Sequence, residues 1–136
     1  MIDTTKFLFN NLQFEGDVYV ARIPICKTAD QLMNEIYVKL KFPPYFGFNW
    51  NALDECISDL TWIDTTNIVI THDELPQMCE TDQVVYLKIL SDAIDLWRCD
   101  ELHKLTVQFP SNSKDKIEQV VSSVIADGRL SYLFGP

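Results

Sequence analysis

Apolar residues recur along this chain with two periods, nearly continuous in some stretches and every third or fourth position in others. Val18-Tyr19-Val20-Ala21-Arg22-Ile23 is β-branched and aromatic, lies between Asp17 and Pro24, and predicts a strand. Thr28-Ala29-Asp30-Gln31 has the spacing of a capping box, in which Thr28 accepts from the first helical turn and Gln31 reaches back. Leu32, Ile36 and Leu40 then recur every four residues, which predicts an amphipathic helix to about Lys41. Pro43-Pro44 stops it, because neither supplies an amide proton and Pro43 biases Phe42 away from helix.

Tyr45-Phe46-Gly47-Phe48 reads as a loop, with Gly47 expected in a positive-φ turn. Asn49 is placed to cap the helix that follows. Trp50, Leu53, Ile57 and Leu60 form one apolar face of that helix; Asn51, Glu55 and Ser58 point away from it, with Asp54 near the boundary. Asn67-Ile68-Val69-Ile70-Thr71 suits a strand buried on both faces. A long helix is expected over residues 81–98, with Val84, Leu87, Leu90, Ile94 and Trp97 inward. Leu105-Thr106-Val107-Gln108-Phe109 predicts a further strand, ended by Pro110. Ser113 can cap a last helix with Ile117, Val120, Val121 and Val124 inward, stopped at Asp127-Gly128 and followed by the apolar Tyr132-Leu133-Phe134.

Strands alternating with helices imply an α/β fold with a parallel sheet and right-handed crossovers. The expectation is a three-layer α/β arrangement: about three strands, helices covering the sheet's faces, and an extra C-terminal helix. Phe7-Leu8-Phe9 offers material for an additional edge strand. With 136 residues, 47% of them hydrophobic, one domain over residues 1–136 is expected.

Charge changes the picture once it is located. The net charge is -9, and residues 42–97 hold ten acids against a single base, Lys88; the rest of the chain carries ten of each. Such a field repels nucleic acid and draws in basic partners. The N-terminal residues are polar, with no signal-like apolar run, and no stretch is long enough for a membrane span. The four cysteines lie far apart, without the paired spacing that zinc prefers. Reduced, mostly buried thiols in a cytoplasmic protein are expected. No cofactor is expected, since no GxGxxG, P-loop or GxSxG motif is present.

The segment from Phe42 through Pro43-Pro44-Tyr45-Phe46-Gly47-Phe48-Asn49-Trp50-Asn51-Ala52-Leu53-Asp54-Glu55 to Leu60 resembles the barstar family of ribonuclease inhibitors. The shared pattern is a proline, any residue, an aromatic pair, Gly, any residue, Asn, a bulky residue, Asp, Ala, Leu and then an acidic helix. Residues 18–110 fit the family core, and residues 111–136 add a C-terminal helix and tail. The resemblance implies an intracellular, immunity-type inhibitor of a ribonuclease or nuclease toxin, blocking the basic active site with an acidic helix face. A one-to-one complex is implied, the free protein being a monomer with no enzymatic activity and no nucleic-acid or membrane binding. Glu55 falls where the family places its principal blocking carboxylate, and Asn51 where a second aspartate is usual. Tyr45 matches an interface aromatic, Ser58 a contact hydroxyl, Asp54 a contact tryptophan, and Asp92, loosely, a peripheral acidic contact. Gly47, Asn49, Trp50 and Leu53 match the scaffold. Asp59 extends the acidic face. Phe46 and Phe48 join the expected contacts, because three aromatics in one short loop cannot all turn inward. Asn51 loses a charge and Glu55 sets its carboxylate one methylene farther out, so the expected target differs from the family's usual one.

Two other functions compete. His72-Asp73-Glu74, with His103, could support a small metal-assisted hydrolase at the sheet's carboxyl edge, although two histidines outside an HExxH frame are a weak signal. An acidic adaptor for a basic protein other than a nuclease is the third reading.

Overall fold

The strands and helices expected from the pattern all form, and Phe7-Leu8-Phe9 supplies the additional edge strand. The structure is a computed structural model that describes residues 2–10, 14, 16–99 and 103–126. In chain order it contains β1 (Leu8–Phe9), β2 (Tyr19–Ile23), α1 (Ala29–Lys39), α2 (Trp50–Asp59), β3 (Asn67–His72), α3 (Glu80–Arg98), β4 (Lys104–Phe109) and α4 (Lys114–Ala126). Short 3-10 turns precede β1 and α4. The sheet is wholly parallel in the order β1-β4-β3-β2. The stop at Asp127-Gly128 and the apolar tail lie outside the described residues.

Strand order decides where the helices go. The steps from β2 to β3 and from β3 to β4 run in the same direction across the sheet. Two right-handed crossovers that step the same way put their helices on the same face. Ala21, Ile23, Ile68, Ile70, Leu105, Val107 and Phe109 point into that face and are buried. Their neighbours point the other way, and there Val69 and Gln108 are buried, Thr71 and Thr106 are half-buried, and Val20 and Arg22 are exposed. The helices of these two crossovers therefore share that face. The layers run sheet, α3, α2: α3 packs on β4, and α2 packs on α3.

At the helix ends, local chemistry explains the boundaries. Thr28 accepts from the Gln31 amide at 3.1 Å, and Gln31 Oε1 accepts from the Lys27 amide, one residue before the cap. α1 stops earlier than its proline pair requires. Lys41 adopts φ 54°, the Phe42 amide donates to Tyr37 O and the Lys41 amide to Val38 O. This is a Schellman ending in which lysine occupies the position usually given to glycine. Ser113 sits buried in the 3-10 turn ahead of α4, its amide donating to Pro110 O. Cys26 and Cys56 are buried but Cys79 and Cys99 are exposed, so only half of the free thiols sit as expected. No helix among the described residues is long and apolar enough to cross a membrane.

At the centre of the core, His72 joins three elements. Its Nδ1–H donates to Gln108 O of β4 at 2.9 Å, and its bare Nε2 accepts from the Tyr86 hydroxyl of α3 at 2.6 Å. The ring stacks on Phe109 at 4.2 Å. Burial lowers the His72 pKa from 6.5 to about 4 and raises that of Tyr86 well above 10. His72 is neutral in the fold and takes up a proton near 6.5 only when unfolded. The unfolded chain thus binds more protons between those values, and stability falls as pH drops through that window. The gap corresponds to about 3 kcal/mol. Urea midpoints should fall between pH 7 and pH 4 more steeply for the natural chain than for His72→Gln, which keeps one donor and one acceptor without a titrating ring. Parallel pH profiles would contradict this role.

Candidate functional site

α2 is presented to solvent by two devices at its N-terminus. Asn49 is extended, its Oδ1 accepts from the Ala52 amide at 2.8 Å, and its Nδ2 donates back to Gly47 O at 3.2 Å. One side chain thus ties the aromatic loop to the helix it precedes. Gly47 is required for a reason other than the expected one. Its φ is not positive; the left-handed residue is Phe48, at φ 52°. A Cβ on Gly47 would stand 3.0 Å from the side-chain Nδ2 of Asn49, so any larger residue there would press on the capping side chain.

The loop aromatics divide between core and surface. Phe46 is 4% exposed and packs against Phe42, Tyr37 and Phe48, with ring centroids 4.9, 6.0 and 4.8 Å away. This corrects its expected place among the contacts: Phe46 supports the loop from beneath. Tyr45, at 78%, and Phe48, at 44%, remain exposed. Trp62 closes the cluster, its indole N–H donating to Leu40 O at 2.9 Å.

Leu53, Cys56 and Ile57 bury the inner face of α2. The Trp97 indole donates to Ile57 O, and Trp50 is half-buried with its ring 6.5 Å from that of Tyr86. Asn51, Asp54, Glu55 and Asp59 are exposed and Ser58 is half-buried. At 3.6 residues per turn these five span an arc of roughly 140°. Asp92 of α3 stands beside this face. Partial burial first, and then the charge of Asp92, raise the Asp54 carboxyl above its usual value, while Lys88 opposes them. Lys88 is itself paired with Asp92 at 2.8 Å.

The acids of this region fall into two groups. Asp73 pairs with Arg22, Asp92 with Lys88 and Asp95 with Lys6. Asp54, Glu55 and Asp59 form no salt bridge among the described residues. Asp59 also lies in the last turn of α2, which contains no base. A carboxylate there faces the negative end of the helix dipole. The arrangement leaves an excess of negative charge on this helix face.

The residues of the hydrolase reading do not converge. His72 is buried with both ring nitrogens engaged, Asp73 holds Arg22, and Glu74 accepts from the Gln77 amide nitrogen. His103 is exposed, its ring against Trp97 at 6.0 Å. No group of three metal-ligating side chains occurs among the described residues. The sequence pattern did not disclose a pocket of about 250 Å³ at the far end of α2, where Asp59, Leu60 and Ile63 meet Leu96, Trp97 and His103. Its one signal was Leu96, an apolar residue off the inward face of α3 and 54% exposed.

Compared with known families, the chain matches Barstar (barnase inhibitor) over residues 17–110 and belongs to the barstar family. No curated protein matches it. The two ends of α2 should respond oppositely to substitution. Asn49→Ala should cost about 1 kcal/mol through loss of the cap, and Asp59→Asn should gain up to about 1 kcal/mol by relieving the dipole. Urea denaturation at pH 7 checks both, and a loss of stability in Asp59→Asn would contradict the electrostatic account.

Proposed function

We propose that this barstar-family chain inhibits a ribonuclease or nuclease toxin by laying the exposed face of α2 over the enzyme's basic active site. The reading is carried by one observation: Asp54, Glu55 and Asp59 share one exposed face with no salt bridge among the described residues, while nearby acids are paired. A cleft that holds RNA phosphates must offer cationic donors, and carboxylates at the right spacing can take the phosphates' place. Glu55 is the principal blocking group and Asp54 supplies the charge that Asn51 lacks. Asp92 and Ser58 extend the contact.

Tyr45 and Phe48 flank the carboxylates with exposed aromatic area. Aromatic side chains bring large contact surfaces at small rotamer cost, and a helix platform loses little freedom on docking. The complex is one-to-one, formed by a single domain. Its role is immunity-type: cytoplasmic protection of a cell from its own or a neighbour's nuclease.

Rates of RNA cleavage by barnase and by other bacterial ribonucleases, measured against increasing inhibitor, test the proposal. At least one enzyme should be inhibited at equal molarity, with association slowing as salt rises. Asp54→Ala and Glu55→Ala should each weaken inhibition by roughly tenfold to hundredfold. Unchanged inhibition by a folded double variant would refute the helix-face mechanism, and binding without inhibition would favour an adaptor.

A further inference from the structure

We infer that the pocket beyond the C-terminal end of α2 is an anchor site for an arginine side chain of the partner. Two features define its chemistry. Leu60, Ile63, Leu96 and Trp97 give it apolar walls, and Asp59 stands in its lining as a carboxylate without a salt bridge among the described residues. The last turn of α2 contributes carbonyl groups and no base, so the negative end of the helix dipole lies beside that carboxylate. A long aliphatic stem ending in a cation matches both. Guanidinium suits the site better than ammonium, because it is weakly hydrated, forks onto a carboxylate and packs flat on apolar and aromatic surfaces.

Size points the same way. About 250 Å³ is below the roughly 300–1,000 Å³ of sites that take whole small molecules, and it accommodates one long side chain. A contrasting pocket lies on the other side of Trp97 and His103, lined by Lys6, Arg98 and Lys104. The two pockets share a wall but differ in charge, so a basic side chain has one of them to enter. The inference rests on reading α2 as the partner-facing helix: an anchor at its far end would fix the rotation of the partner about Glu55. It would also explain why Leu96 is the one large apolar side chain of α3 left exposed.

n-Butylguanidinium and its neutral isostere n-butylurea, titrated into ¹⁵N-labelled protein and followed by amide and indole shifts, test the site without any nuclease. The guanidinium should give saturable shifts at Leu60, Ile63, Leu96 and the Trp97 indole, with butylurea about tenfold weaker. Asp59→Asn, a change at an exposed residue, should abolish that preference. Equal binding of the two probes, or no saturable shift with either, overturns the arginine anchor whether or not a nuclease is inhibited. Should the shifts appear while no ribonuclease is inhibited, the anchor stands and the nuclease reading fails.

Discussion

The hydrogen-bond chain from the Tyr86 hydroxyl through the His72 ring to the Gln108 carbonyl fixes how the layers of this protein meet. It lies in the buried interior, where a satisfied polar group is strongly directional and an unsatisfied one is costly. Through it α3 is held to β3 and β4, the central strands. α2 then rests on α3 through Leu53, Cys56, Ile57 and the Trp97 indole. The exposed acidic face is therefore positioned by a buried histidine it never touches. The same histidine that attracts a catalytic interpretation in the sequence is occupied in holding the scaffold.

How much of this could be read from the residues follows from how local each cause is. Strands, helix faces and the Asn49 cap depend on neighbours a few positions away, and they were legible. The barstar-like segment was legible too, because its proline, aromatic, glycine and asparagine positions encode one turn and one cap. Phe46 was misplaced because its burial depends on Tyr37 and Phe42 arriving from α1. Gly47 was given the wrong reason: the crowding that a Cβ would meet comes from the Asn49 side chain after it has capped the helix. The approach of Asp92 to Asp54, and the pocket under Leu96, exist only once α2 lies on α3.

Charge is distributed to serve two purposes. Arg22, Lys88 and Lys6 neutralise acids that hold the structure's own edges together. The α2 face has like charges close together and an acid at the wrong end of its dipole, all of which oppose folding by modest amounts. Such local conflicts are where a structure departs from its own optimum to keep a surface ready for something else.

The pairing of β1 with β4 also sets a clock. Leu8 lies opposite Gln108, so this edge strand finds its neighbour only after 100 further residues have been made. At about 5–20 residues per second, translation leaves Phe7, Leu8 and Phe9 without their place in the sheet for roughly 5–20 s. Over that interval the nascent chain carries a short apolar segment that no nearby element can shelter. The fold is sealed at its edge by a strand that must wait for its partner to be made.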